Sequence, residues 1–137
     1  MGATGIAFKP LKSNVLQQVL AFGEPAIFKG GLTRLRLNRA LEYIQANLDG
    51  EIHLEDLGRA AGLSPFHFAK LFKQSTGSTP HQYVVQRRLE RATELLRSTE
   101  VNLSEVALEC GFADQSHFAN VFRRFVGVTP SQYRARM

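Results

Sequence analysis

The sequence predicts an all-α fold of seven helices, and three observations carry that prediction. From Leu32 onward the apolar residues recur at helical spacing, with no convincing alternating strand. Helix starts and stops are written out as Ser-Pro and Thr-Pro openings and glycine endings. Finally, one phrase occurs twice: HFAKLFKQSTGSTPHQY runs from His67 to Tyr83, and HFANVFRRFVGVTPSQY runs from His117 to Tyr133. Nine of its seventeen positions are identical, so one helical unit is built twice.

Residues 1–31 stand apart as an N-terminal arm or linker, holding five of the eleven glycines and two of the five prolines. A short helix is allowed over SNVLQQVLAF (13–22), but about thirty residues do not make a ligand-binding domain. The first clear helix carries Leu37, Leu41, Ile44 and Leu48 as one apolar stripe and ends at LDG (48–50). LEDLGRAA (54–61) is the second. SPFHFAKLFKQST (64–76) is the third, with Ser64 as N-cap and Pro65 at the first helical position, where its missing N–H costs nothing. The fourth, PHQYVVQRRLERATELLRS (80–98), buries Val85, Leu89, Ala92 and Leu96, while Arg87, Arg88 and Arg91 lie largely off that side. Asn102 and Glu105 open the fifth (103–110), Asp114 caps the sixth (114–126), and the seventh begins at Pro130.

The shared ending of the phrase is a helix stop followed by a helix start. Gly77 and Gly127 suit a left-handed C-cap. Thr79 with Gln82, and Thr129 with Gln132, suit a capping box around a proline preset for the first turn. The shared beginning is a core face: Phe68, Leu71 and Phe72 in one copy, Phe118, Val121, Phe122 and Phe125 in the other. Each copy follows a short helix with a small residue four before a glycine, Gly58 and Gly62, then Ala107 and Gly111. Steeply crossed helices joined by a tight turn need both, so the chain is read as two helix-turn-helix units, 54–76 and 103–126, joined by a long linker helix, 80–98.

What differs between the copies lies opposite the core. The third helix shows Phe66, His67, Ala69, Lys70, Lys73 and Gln74. The sixth shows Ser116, His117, Ala119, Asn120, Arg123 and Arg124, with Gln115 at its start. Beyond the capping Asp114 these faces carry no acid, whereas a merely solvated face mixes signs into i,i+4 pairs. Their residue types reach phosphates and base edges. Phe66 is either covered by a neighbouring helix or left to meet a thymine methyl or a sugar. A fourth helix on the order of 26 Å long could deliver both units to major-groove segments ~34 Å apart.

Composition agrees. Apolar residues make up 44%, enough for a packed interior, and a net charge of +5 suits a polyanionic partner. One cysteine, Cys110, permits no internal disulfide and reads as core. No signal peptide or membrane span is evident, which points to the cytoplasm. No cofactor or metal site is expected, since Cys110 stands alone and no histidine spacing suits zinc. No nucleophile–base pair or nucleotide fingerprint suggests an enzyme. The rival reading is a helical protein-interaction adaptor, against which stand a fifty-residue period with only two copies and the lack of an apolar outer face.

GLSPFHFAKLFKQSTGSTPHQYVVQRRLERATELL (62–96) and LSEVALECGFADQSHFANVFRRFVGVTPSQYR (103–134) closely resemble the DNA-binding domain of the AraC/XylS family of bacterial transcription regulators, over residues 36–136. The resemblance implies a DNA-binding domain over 32–137, double-stranded DNA as partner and, for an activator, RNA polymerase. By position it places base contacts at Phe66, Ala69 and Lys70 in the first recognition helix, and at Gln115, Ser116, His117 and Asn120 in the second. Backbone contacts fall on Lys73, Arg123 and the capped helix N-termini, which include Ser64; His67, Gln74 and Arg124 complete the expected DNA faces. Two positions depart from the family's pattern: Ala69 is too short to read a base edge, and Asn120 stands where many relatives have Arg. A chain of this kind is either a small stand-alone regulator or the DNA-binding end of a longer one, and the Gly30-Gly31 junction favours the second. Monomeric and dimeric binding both remain open from sequence.

Overall fold

The computed structural model describes residues 31–136; of the expected arm, all but Gly31 lies outside the described residues. Seven helices follow in order: α1 (Arg34–Ala46), α2 (Leu54–Ala61), α3 (Pro65–Thr76), α4 (Pro80–Ser98), α5 (Leu103–Glu109), α6 (Gln115–Val126) and α7 (Pro130–Ala135). No strand occurs among the described residues.

The boundaries follow local chemistry. Side chains of Ser64, Asn102 and Asp114 accept from the N–H groups of His67, Glu105 and His117, each satisfying a donor the helix cannot. Thr79 with Gln82, and Thr129 with Gln132, form complete reciprocal capping boxes. Gly77 and Gly127 end α3 and α6 in the left-handed region, at φ +82° and +98°. There an ordinary side chain would be strained. Two ends fall short of expectation: α1 stops at Ala46, and α5 stops at Glu109, leaving Cys110 in the turn.

Two apolar cores form, sharing α4. Its first half gives Tyr83 and Val84 to a core with Leu37, Ile44, Leu57, Phe68 and Phe72. Its second half gives Leu89, Ala92 and Leu96 to a core with Val106, Phe112, Phe118 and Phe122. The tyrosine that closes each repeated phrase is structural as well, Tyr83 meeting Phe72 edge-on and Tyr133 meeting Phe122 likewise. Cys110 lies wholly inside the second core. Burial pushes its thiol up to about 11 and the Tyr83 hydroxyl up to about 12, so both remain protonated at neutral pH.

The repeat is longer than the phrase that reveals it. RLNRALEYI (Arg36–Ile44) in α1 matches RLERATELL (Arg88–Leu96) in α4 at five of nine positions, including Leu37/Leu89 and Ala40/Ala92 in the cores. Each unit is therefore a leading helix followed by a helix-turn-helix. Arg88, expected largely off the buried side of α4, is partly exposed and hydrogen-bonds backbone forty residues away.

Gly58 shows how tightly the first pair crosses. A Cβ there would stand 2.7 Å from the Leu63 carbonyl oxygen and 3.2 Å from the Pro65 nitrogen, both backbone atoms that cannot swing aside. In an open helix Gly→Ala stabilises by about 1 kcal/mol. Here Gly58→Ala is expected instead to destabilise by about 1–2 kcal/mol, lowering the thermal midpoint by several degrees. Calorimetry checks the sign; a raised midpoint would mean that α2 and α3 can move apart at no cost.

Candidate nucleic-acid interface

The two buried phenylalanines of α3, Phe68 and Phe72, fix which side of that helix is turned inward; Phe118 and Phe122 do the same for α6. What remains outside is the arc expected from sequence. Ser64, Phe66, His67, Lys70, Lys73 and Gln74 are exposed, and Ala69 is partly covered. On the second unit Gln115, Ser116, His117, Asn120, Arg123 and Arg124 are all exposed. Matching positions of the repeat pair off as Phe66 with Ser116, Lys70 with Asn120, Lys73 with Arg123 and Gln74 with Arg124. The chain thus presents two equivalent stripes with different side chains.

Electrostatically the stripes are open. Among the described residues, ion pairs join His53 to Glu51, Arg59 to Asp56 and Arg87 to Glu90, and none involves Lys70, Lys73, Arg123 or Arg124. Their charge is thus available to an anion arriving from outside. Ser64 and Asp114 spend their side chains on the first turns of α3 and α6, which makes them helix caps at the lip of each stripe. No group of metal-ligating side chains occurs among the described residues.

The alternative left open for Phe66 is settled by its exposure of 81%: no neighbouring helix covers it. Among the described residues, Leu35, Leu54 and Leu108 are the other large apolar side chains left outside. Leu54 and Leu108 face one cleft of about 830 Å³ between the two units. The same cleft is lined by Ala69 of α3 and His117 of α6, so one residue of each stripe borders a single opening. His117 also meets Phe112 edge-on at 5.7 Å, anchoring its ring to the second core. Arg88 and Gly111 lie in the same lining. Sequence reasoning named Gly111 as a turn glycine and Arg88 as off the buried side of its helix but brought neither to this cleft, although the R-L-x-R-A-x-E recurrence was a signal for Arg88.

No described helix is long and apolar enough to cross a membrane. A helix-turn-helix domain family model matches residues 57–136, more than half of the chain. A protein named as a probable transcriptional regulator, LumQ of Photobacterium leiognathi, is 42% identical over 83 residues, 59% of this chain and 34% of LumQ. The XylDLEGF operon transcriptional activator of Pseudomonas putida is 32% identical over 105 residues, 74% of this chain and 30% of that protein. The chain thus spans about a third of the length of these relatives. Among solved structures, an AraC-type transcriptional regulator from Chromobacterium violaceum matches with a TM-score of 0.69 at 32% identity, over 74% of this chain and 90% of that one. The DNA-binding domain of AdpA, a global transcriptional factor solved in complex with a target DNA, matches with a TM-score of 0.69 at 29% identity, over 74% and 91%. Two capped helix-turn-helix units, two exposed basic stripes and these likenesses agree, and the chain belongs to the AraC-type helix-turn-helix family of DNA-binding transcription regulators.

Proposed function

We propose that the chain binds an asymmetric double-stranded site as a monomer, with α3 and α6 in successive major-groove segments. The observation that carries this reading is the pair of unequal exposed stripes, free of acid beyond the capping Asp114, each of which gives one residue to the same cleft. Between the two helix-turn-helix pairs runs α4, 19 residues long, or ~28 Å at the rise of a helix. With the width of a unit at each end, that span suits groove entries ~34 Å apart. Because the stripes differ, the two boxes of the site differ also, and no two-fold axis is required.

Within each stripe the roles divide. Phe66, Lys70, Gln115, Ser116, His117 and Asn120 stand toward the start and centre of their helices and read bases. His67, Lys73, Gln74, Arg123 and Arg124, with the capped first turns at Ser64 and Asp114, hold phosphates. Ala69 offers a methyl to the lip of the cleft and reads no edge by hydrogen bond. The reading assigns no catalytic step to any residue. It places the chain in the cytoplasm, with residues 1–31 as an arm ahead of a DNA-binding domain that begins at Leu32. A role as activator, like that named for the Pseudomonas putida relative, would add RNA polymerase as a second partner.

Selection from randomised duplex DNA, followed by titration of the winner at several salt concentrations, tests this directly. The expected winner holds two different boxes about one helical turn apart, bound by one chain. A palindromic winner bound by two chains would replace the monomer with a dimer. Binding that is weak everywhere and erased by salt, with no sequence enriched, would overturn the proposal.

A further inference from the structure

The two copies of the repeat use the same arginine differently. In the first unit Arg36 stays at home: its Nη1 donates to the carbonyls of Ala61 at 2.7 Å and Gly62 at 3.0 Å, bracing the turn of its own helix-turn-helix. By the repeat, Arg88 should brace the turn at Cys110 and Gly111. It rests against that turn but gives its hydrogen bonds elsewhere. Arg88 Nε donates to Leu48 O at 3.0 Å and Nη2 donates to Gly50 O, both in the α1–α2 connection of the first unit. Gly111, at φ +85°, closes the contact from the other side: a Cβ there would stand 2.1 Å from Leu48 O and 2.6 Å from Arg88 Nε. Three segments from two units thus meet at one guanidinium.

We propose that Arg88, the Leu48 and Gly50 carbonyls and Gly111 form a joint that fixes the second reader against the first, and so sets the gap between boxes that the chain accepts. The proposal rests on the two-reader function above. A continuous α4 fixes the axial distance between units, but the first core takes Tyr83 and Val84 from it and the second takes Leu89, Ala92 and Leu96, so the two units rest on separate cores. A planar fork donating to two carbonyls, with a backbone oxygen seated where a side chain would be, restrains roll as well. Orientation matters because one added base pair moves the second box by ~3.4 Å and turns it by roughly 35° about the DNA axis. A jointed pair rejects that displacement; a loosely tethered pair follows it.

The test uses the full chain and the selected two-box site, with the gap lengthened or shortened by one and two base pairs. Wild type, Arg88→Met, Gly111→Ala and Gly62→Ala are compared. Wild type is expected to lose about tenfold or more in affinity for a one-base-pair change, comparable to the cost of a mismatch. Arg88→Met and Gly111→Ala should flatten that ratio to about threefold or less while the base preferences inside each box stay unchanged. Gly62→Ala is the control. It strains the same left-handed conformation, at φ +77°, but its Cβ meets only the Arg36 side chain of its own unit, at 3.1 Å. It should keep the wild-type ratio, so the difference between the two glycine variants reads the joint even where Arg88→Met lowers stability. Joint variants that keep the wild-type ratio, or that weaken every gap equally, overturn the proposal. A wild-type chain that binds one box and is indifferent to the gap overturns the two-reader function, and the joint with it.

Discussion

Phe118→Ala is expected to cost about 3–5 kcal/mol and to melt the second helix-turn-helix unit ahead of the first. Phe118 has no exposed surface and packs between Phe112, at 5.1 Å between ring centroids, and Phe122, at 5.6 Å. Truncation removes the transfer energy of the ring and leaves a void that the surrounding core closes only in part. A domain of this size has about 5–15 kcal/mol in total, and the second core is only part of it. The two cores are separate clusters that both draw on α4, so the loss falls on one unit before it reaches the other. Amide exchange separates them: protection should collapse in α5, α6 and α7 while α1 to α3 keep theirs. The matched control is Phe66→Ala, an aromatic on the outer face of the other recognition helix, which should move stability by no more than about 0.5 kcal/mol. A Phe118→Ala loss below about 1 kcal/mol, or simultaneous melting of both units, would refute the two-core account.

That contrast shows how much could be read in advance. Phe66 and Phe118 are chemically identical, and helical periodicity alone placed one outside and the other inside. The cap residues were equally legible, because Ser64-Pro65, Thr79 to Gln82 and Thr129 to Gln132 act within four residues of themselves. Periodicity could not say whether Phe66 was covered, since that depends on how close a neighbouring helix comes. The same limit hid Arg88. On a helical wheel it falls beside the buried stripe and looks like a solvated charge; its acceptors lie 38 and 40 residues back along the chain. Even the match between α1 and α4 escaped notice because it falls at an offset of 52 rather than 50, the intervening loops differing in length. The faces of the site were legible. The joint between them required three dimensions.

Removing Lys70 and Asn120 together, as Lys70→Ala with Asn120→Ala, is expected to cost about 2–6 kcal/mol of discrimination between the selected site and random DNA, with little change in the fold. Both side chains are exposed on the outer arc at matching positions of the repeat, one in each reader, so neither holds a core together. They sit on different helices of different units, with separate cores beneath, and their effects should therefore add. Each should relax preference only in its own box: Lys70→Ala in the box met by α3, Asn120→Ala in the box met by α6. Lys70 carries a charge, so its loss also lowers binding to random DNA, by about one phosphate contact's worth of salt dependence. Asn120 carries none, and Asn120→Ala should leave random binding unchanged. The opposite pattern belongs to Lys73→Ala and Arg123→Ala, one turn further along each helix. These should weaken selected and random DNA alike and reduce the salt slope by about 1 each. Titrating the four single variants and the Lys70/Asn120 double on both DNAs at three salt concentrations separates the classes. Equal losses on both DNAs from all four positions would mean that the stripes supply charge alone, and sequence choice would then have to come from DNA shape.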